Sequence, residues 1–186
     1  MMAEAVKKHY STHLGSPSRE FNFDIEEFPM KVLKWNADAN PEEVSLYGTL
    51  GSSSRSLRGL DEGHRMEFLL GLLPEKDDVV VSLAILGAHP HLAQTFLDHG
   101  HTLKLADPLW PETEMHSFLV MHPAQGIVPA LALPDGTHVE FLMAVPLYDS
   151  EFAFKRSHSP EELMLGWSEA GVRFYDPNRS AWPSME

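Results

Sequence analysis

Residues 134–151, PDGTHVEFLMAVPLYDSE, decide the fold class of this chain. The segment opens with Pro134-Asp135-Gly136, a turn signal in which glycine supplies the positive φ that a tight reversal needs. An apolar run over residues 139–145 then predicts a strand. Its second half is apolar on both faces, as in a central strand covered by helices. Pro146-Leu147 follows, and Asp149-Ser150-Glu151 begins a predicted helix. The segment therefore places a buried strand between a turn and a helix.

Alternating apolar and polar residues predict two more strands upstream of this segment. Residues 43–50 alternate in the pattern of a half-buried strand. Residues 65–73 alternate in the same way, and residues 51–63 between them are rich in Gly and Ser, which predicts a loop. Shorter strands are predicted over residues 30–35, 115–121, 128–133 and 172–175, while residues 21–28 fit either a strand or a loop.

Helical spacing and helix-start signals predict the helices. Residues 3–14 have a helix-forming composition, and residues 74–100 have helical spacing that His89-Pro90 interrupts before a second helical face ends near Gly100. Ser159, followed by Pro at the first helical position and Glu at the third, is a strong start signal. A helix is also predicted over residues 149–157.

Strands outnumber helices and are often neighbours along the chain. This order favours an α+β fold with a mostly antiparallel or mixed central sheet and helices packed on it. No repeat, linker or low-complexity segment interrupts the sequence. We therefore predict a single domain over residues 1–186, with a core that spans about residues 32–179.

Composition narrows the class of protein further. The chain has 186 residues, 43% of them apolar, and no cysteine. This length suffices for one buried core, and the lack of cysteine excludes disulfides, thiolate catalysis and Cys-ligated zinc. Lys7 and Lys8 have no apolar run after them, so we predict no signal peptide. No stretch approaches the ~18 apolar residues of a membrane span, and we predict a cytoplasmic protein.

The acidic residues of the chain are unevenly placed. The formal net charge is −13, and no Lys or Arg occurs between Lys104 and Lys155, an interval that contains seven Asp and Glu residues. Phosphate binding needs clustered Lys and Arg, so we predict that nucleic acid is not a ligand. A basic protein partner fits better, because complementary fields speed and orient docking. The alternative is that the acidity serves solubility alone.

Within this interval, residues 107–114 form the candidate partner-binding segment. An aromatic residue, Trp110, stands between Pro108 and Pro111 and is a candidate interface anchor. The alternative is that its ring tucks under the loop. The candidate partner-binding residues are Asp107, Trp110, Glu112 and Glu114.

Eleven histidines raise the possibility of a metal site or of a hydrolase. None of them stands in a ligand motif such as H-E-x-x-H. Two on one strand, His116 and His122, would lie about 20 Å apart at ~3.3 Å per residue. We therefore predict neither a metal nor a cofactor. The other close pairs are His89/His91 and His99/His101.

Polar segments in and beside the predicted strands offer candidate catalytic residues. The run Gly51-Ser52-Ser53-Ser54-Arg55 is not G-x-S-x-G, and it fits a structural turn or, alternatively, a contact with an anion or peptide. Arg65 and Glu67 share a strand face, which suggests an exposed or cross-strand ion pair rather than a catalytic acid with an arginine. Glu140 has no second acid or base in a defined geometry. We predict no catalytic residue.

Four segments, taken in order along the chain, resemble the suppressor of fused family. They are Gly48-Thr49-Leu50-Gly51-Ser52, His64-Arg65-Met66-Glu67-Phe68, residues 134–151 and Asp176-Pro177-Asn178-Arg179. The resemblance implies a fold and a binding role rather than an enzyme. The positions that match the family signature, and that we expect to be structural, are Gly51, Ser52, Arg65, Glu67, Asp135, Gly136, Phe141, Pro146 and Glu151.

The resemblance also implies a kind of partner. Animal members of the family have two lobes and clamp an extended peptide partly by strand pairing, whereas this chain has the length of one lobe. It looks like the small bacterial members, which are thought to act as immunity proteins that neutralise toxins. The acidic residue with which animal members contact their peptide has no counterpart at Gly100-His101-Thr102. The alternatives are a scaffold domain with a non-toxin partner and an unrecognised hydrolase that uses the histidines.

Overall fold

The computed structural model of the chain describes residues 1–40, 42–57, 63–123 and 126–182. These residues contain eight strands and four α-helices. The strands are β1 (Arg19–Ile25), β2 (Phe28–Trp35), β3 (Ser45–Leu50), β4 (His64–Leu72), β5 (Thr102–Lys104), β6 (Met115–Met121), β7 (Leu131–Ala132) and β8 (His138–Tyr148). The helices are α1 (Met2–Leu14), α2 (Val80–Leu92), α3 (Asp149–Ser157) and α4 (Pro160–Ala170). Short 3-10 helices span Ala37–Ala39, Ser52–Ser54 and Asp77–Val79.

All eight strands belong to one mixed sheet. Its order is β1-β2-β3-β4-β8-β6-β5, and β7 pairs with β8 beside this path. The first four strands form an antiparallel meander, and β8 is antiparallel to β6, as β6 is to β5. The two halves join where β4 lies parallel to β8. The predicted α+β class, with a mixed sheet and helices packed on it, is confirmed.

Helices cover both faces of the sheet. Leu142 and Ala144, two even-numbered residues of β8, belong to the apolar cluster under α2. The odd-numbered residues point to the opposite face, where Phe141 packs with α1 and Leu147 packs with α4. One face is thus covered by α2, and the other by α1 at one end and by α3 and α4 at the other.

The strand predicted from residues 139–145 is central. Phe141 is 3% exposed, and its ring centroid lies 5.1 Å from that of Tyr10 in α1. The turn before the strand forms as predicted, because Gly136 adopts φ 88° and the Asp135 carboxylate accepts the Thr137 N–H at 2.9 Å. This turn joins β7 to β8.

The helix starts after β8 were also predicted correctly. Helix α3 spans Asp149–Ser157, and α4 begins at Pro160 behind the N-cap Ser159. The Ser159 hydroxyl accepts the Glu162 N–H at 3.1 Å, while the Glu162 carboxylate accepts the Ser159 N–H at 2.7 Å. This reciprocal pair is a capping box. No helix in the described residues is both long and apolar enough to cross a membrane.

Several local predictions were wrong. Residues 43–50 were predicted to form a half-buried strand, but β3 is buried along its whole length. The strands β2 and β4 flank it, and helices cover both of its faces. Pro90 lies inside α2, and the helix ends at Leu92, so the second helical face near Gly100 does not form. Residues 172–175 are not a strand, and within residues 128–133 only β7 forms. The two alternatives left open for residues 21–28 both occur, since β1 continues to Ile25, a turn follows at Glu26-Glu27, and Phe28 begins β2.

Candidate functional site

The candidate partner-binding segment, residues 107–114, lies in the connection between β5 and β6, and we call this whole connection, residues 105–114, the acidic loop. Its interior contacts are well defined. The Ser82 hydroxyl of α2 donates to the Leu109 carbonyl at 2.8 Å, and the Leu109 N–H donates to the Met115 carbonyl at 2.9 Å. Leu109 is 1% exposed. The acidic loop is therefore fixed to α2 at its middle and to β6 at its end.

Trp110 lies under the acidic loop and not on its surface. The residue is 4% exposed and belongs to the apolar cluster beneath α2. The prediction of an exposed interface anchor is wrong, and the alternative that the ring tucks under the loop holds. Burial of an aromatic ring removes a large apolar area from water, so Trp110 holds the loop in place.

The carboxylates of the acidic loop point to solvent. Asp107, Glu112 and Glu114 are all exposed. Among the described residues, no ion pair involves any of the three. Glu112 also adopts a positive φ of 70°, which few non-glycine residues do. The loop thus presents three uncompensated negative charges on a fixed backbone.

An open groove of about 720 Å³ runs beside the acidic loop along α2. We call it the α2 groove. Its lining includes the apolar side chains of Phe21, Val81 and Ile85, and Val81 is 48% exposed. Asp78 and Asp107 stand in its lining as well. The groove combines an apolar surface with carboxylates from two elements.

One carboxylate of the groove, Asp77, is already neutralised. It accepts hydrogen bonds from Lys34 at 2.6 Å, Arg19 at 2.8 Å and the Tyr47 hydroxyl at 2.9 Å. Burial acts to raise the pKa of Asp77, but these partners outweigh it and hold the pKa below its ordinary value. Burial, together with the Asp77 hydrogen bond, raises the pKa of Tyr47. Asp77 therefore serves the fold. Asp78 is exposed but has Lys76 Nζ at 3.8 Å, so most of the unpaired charge comes from the acidic loop.

The rest of the interval without Lys or Arg does not form one acidic face. Asp149 pairs with Lys104 at 2.8 Å on the surface. Glu151 is fully buried and pairs with Arg179, while Asp135 caps the turn before β8. The folded chain therefore concentrates the negative charge of the interval in the acidic loop.

Glu67 of β4 is a buried carboxylate held by neutral donors. It is 0% exposed. Its Oε1 accepts from the Gly51 N–H at 3.0 Å, the Ser53 N–H at 3.0 Å and the Ser53 hydroxyl at 2.6 Å, and its Oε2 accepts from the Thr49 hydroxyl at 2.6 Å. The prediction of an exposed or cross-strand ion pair is therefore wrong for Glu67, which is buried and accepts from neutral donors of the described residues. The Gly-Ser turn after β3 is structural, and the anion that it binds is a side chain of the same molecule.

Glu151 is a second buried carboxylate, and a cation holds it. Arg179 donates to both of its oxygens, at 2.5 and 2.7 Å, and to the Pro146 carbonyl at 3.0 Å. The guanidinium also lies 5.1 Å from the ring centroids of Tyr148 and Trp167. The signature positions Pro146 and Glu151 thus fasten the C-terminal segment to the end of β8.

Three further signature positions, Gly51, Ser52 and Arg65, lie in the turn that binds Glu67 or on the same strand as Glu67. Ser52 is buried, and its carbonyl accepts a hydrogen bond from His91 Nε2 of α2 at 2.6 Å. Gly51 adopts φ 137°, and an added Cβ would lie 3.1 Å from the Pro29 carbonyl, so a larger residue would be strained there. Arg65 donates to the His64 carbonyl at 3.0 Å.

The fold also gathers histidines that the sequence pattern did not connect. His64 and His138 are 74 positions apart, yet their ring nitrogens Nδ1 and Nε2 lie 2.8 Å apart. Glu140 lies beside this pair and also beside Asp98 and His122. Neither His64 nor His138 belongs to the histidine pairs that are close in sequence, which are His89/His91, His99/His101 and His116/His122. Only the pairing of β4 with β8 could have revealed it.

The family of the chain follows from its sequence and fold together. The model of the Suppressor of fused protein (SUFU) family matches residues 26–180. This match covers most of the chain, and the chain therefore belongs to the SUFU family. No curated protein matches the chain.

Solved structures share the fold at low sequence identity. A SUFU homologue from Neisseria gonorrhoeae FA 1090 superposes with a TM-score of 0.71 at 21% identity, over 98% of each chain. The Sufu–Fu complex superposes with a TM-score of 0.71 at 14% identity, over 96% of this chain and 91% of that one. Drosophila Suppressor of Fused gives 0.64 at 12% identity, over 96% of this chain and 49% of its own length.

Proposed function

We propose that this chain is an immunity protein that binds and neutralises a basic toxin through the acidic loop and the α2 groove. Membership of the SUFU family implies a protein-interaction module. One related structure is that of a complex, Sufu–Fu. The observation that carries the proposal is the set of exposed, unpaired carboxylates on a fixed loop beside an apolar groove.

Charge complementarity favours a cationic partner. The whole chain carries a formal charge of −13, so it attracts a basic protein at long range. The acidic loop adds a local feature, because Asp107, Glu112 and Glu114 have no cation in the described structure to offset them. Long-range attraction speeds encounter, and the local carboxylates orient it.

The shape of the site favours a particular kind of contact. Val81 and Ile85 offer apolar surface within the α2 groove, and Asp78 and Asp107 stand in its lining. A Lys or Arg side chain has an apolar stem and a charged head, and it can lie along such a surface with its head at a carboxylate. We therefore expect the partner to insert a basic segment here.

The acidic loop is held in a fixed conformation before any partner binds. Leu109 and Trp110 are buried, and Ser82 fixes the backbone between the exposed acids. A loop that is already ordered loses little conformational entropy on binding. The acidic loop can therefore bind without a folding step of its own.

Parallel capture with matched charge variants tests the site. The test variant carries Asp107→Lys, Glu112→Lys and Glu114→Lys. The control carries Asp24→Lys at the end of β1 and Glu26→Lys and Glu27→Lys in the turn after it, and all three positions are exposed. Each triple change raises the formal charge from −13 by six, to −7. We expect wild type and control to capture the same basic protein from the source cell and the test variant to lose it. Equal recovery by all three would contradict the proposed site.

A protection assay tests the immunity role separately. The captured partner is expressed alone and together with this chain, and growth of the host is measured. We expect the partner alone to arrest growth and the chain to restore it, whereas the acidic-loop variant should not. Binding without any toxicity of the partner would instead identify a scaffold domain.

A further inference from the structure

A histidine cluster lies at the start of the parallel strand pair, at the opposite end of β8 from the acidic loop. His64 is the first residue of β4 and pairs in register with His138, the first residue of β8. Since residues two apart share a face, Glu140 stands on the same face as His138. The cluster begins about 33 Å along β8 from Tyr148, at ~3.3 Å per residue. It is therefore separate from the proposed partner site.

We propose that His64, His138 and Glu140 form a binding site for a divalent transition metal ion, with Zn²⁺ as the best-fitting ion. Each residue offers one imidazole nitrogen or carboxylate oxygen, and these three atoms lie within 4.8 Å of one another. Two imidazoles and one carboxylate are a ligand set that zinc uses with one open coordination position.

The separation of the two imidazole nitrogens is close to the one that zinc needs. Zinc–nitrogen bonds of ~2.0–2.1 Å place tetrahedral ligand atoms roughly 3.3 Å apart. His64 Nδ1 and His138 Nε2 are 2.8 Å apart, and their rings meet at 68°. A movement of a few tenths of an ångström at each ring would admit the ion between the two nitrogens. All three side chains are half-buried, so an ion can reach them.

The scaffold holds these ligands in place. His64 and His138 lie on neighbouring hydrogen-bonded strands, and the His138 N–H donates to the Gly63 carbonyl at 2.8 Å. Sites built on strands hold their ligands more precisely than sites on loops. The ion would cross-link β4 and β8 at the place where the two antiparallel halves of the sheet meet.

A second group shares Glu140 but is the weaker candidate. It consists of Asp98, His122 and Glu140. It has one imidazole instead of two, and His122 Nε2 already contacts the Asp98 carboxylate at 2.8 Å. Zinc at neutral pH favours the group with more nitrogen donors. His122 therefore provides the matched control.

Zinc titration of ligand variants tests the site. Protein without a histidine tag is freed of metal with EDTA, and ZnCl₂ is added in a calorimeter. We expect one ion per wild-type chain. Loss of a single ligand in His64→Gln, His138→Gln or Glu140→Gln should weaken binding by at least about 100-fold, the upper end of what loss of an outer-sphere partner costs. His122→Gln and the exposed control His101→Gln should bind as wild type does.

A second measurement needs no variant. X-ray absorption at the zinc edge of the loaded wild-type protein should show two imidazole ligands and at least one oxygen ligand. Circular dichroism of each metal-free variant verifies that the fold is kept. The proposal is overturned if wild type shows no saturable zinc binding, if absorption shows a single imidazole, or if His122→Gln loses the ion and His64→Gln keeps it. If His64 and His138 form only a hydrogen bond and bind no metal, wild type would show no saturable zinc binding.

Discussion

Two sets of carboxylates in this protein have the same chemistry and opposite roles. Glu67 and Glu151 are fully buried, and every oxygen of both accepts hydrogen bonds from the protein. Asp107, Glu112 and Glu114 are exposed and have no ion-pair partner in the described residues. The buried set fixes loops and the C-terminal segment to the sheet, whereas the exposed set is available to another molecule. Charge alone therefore does not tell which carboxylates bind a partner.

The two buried carboxylates also differ from each other. Glu151 faces a guanidinium that donates to both of its oxygens. Among the described residues, the partners of Glu67 are two backbone N–H groups and two hydroxyls, and none of them is a cation. Loss of a partner should therefore cost most at Glu151, where it would leave a buried charge without its counterion.

The largest expected effect is that of Arg179→Met. The change keeps an apolar stem but leaves Glu151 buried and unpaired, which should lower the free energy of unfolding by about 3–5 kcal/mol. Urea unfolding at neutral pH measures the loss. The control is Lys104→Met, which breaks the surface pair with Asp149 and should cost less than about 1 kcal/mol. Similar losses in the two variants would remove the distinction between buried and exposed carboxylates.

Trp110→Ala should lower the free energy of unfolding by a similar amount, because the buried Trp110 ring packs beneath the acidic loop. Truncation of a buried Trp leaves a cavity and should lower the free energy of unfolding by about 3–5 kcal/mol. Asp107→Ala, three residues away on the same loop, should change it by no more than ~0.5 kcal/mol. Thermal or urea unfolding distinguishes the two. A stable Trp110→Ala protein would mean that the ring does not support the loop.

Glu67→Gln should have a smaller effect that depends on pH. The amide keeps one acceptor but loses part of the hydrogen-bond set, which should cost about 1–3 kcal/mol. Burial raises the pKa of Glu67, and the hydrogen bonds from Ser53 and Thr49 only partly offset this.

The sign of the pH dependence follows from this shift. Because the folded pKa lies above the ordinary value of 4.5, the folded state holds the proton more tightly than the unfolded state. The stability that wild type gains over Glu67→Gln should therefore be largest below pH 4.5 and decline as pH rises through the folded pKa. Urea unfolding of both proteins across this range measures the difference. A difference that grows with pH would show that the hydrogen bonds outweigh burial.

Local signals predicted much of the fold. The turn at Asp135-Gly136, the apolar strand after it and the capping box at Ser159 each depend on residues close in sequence, and all three form. The second helical face predicted within residues 74–100 does not form, because Gln94 adopts φ 51° and ends the helical path. Composition does not reveal this backbone conformation.

Long-range contacts explain what the sequence did not predict. Strand parity placed Glu67 on a polar face, yet its donors come from Thr49 and from the turn at Gly51–Ser53, which reach it only because β3 lies beside β4. His64 meets His138 for the same kind of reason, through the parallel pairing of β4 with β8. The exposed loop carboxylates were identified from charge alone, but the burial of Trp110 depends on α2, which packs above it.

The proposed docking site for a basic partner is the acidic loop, and the overall charge alone does not specify it. The most direct test is the association rate of the captured partner measured against ionic strength for wild type, the acidic-loop triple variant and the β1–β2 turn triple variant. The loop variant should associate about tenfold or more slowly at low salt, and this difference should shrink as the Debye length falls below ~8 Å. The control, with the same formal charge of −7, loses only the long-range part of the attraction and should slow far less than the loop variant. Equal slowing in both variants would show that only the net charge matters and would contradict the claim.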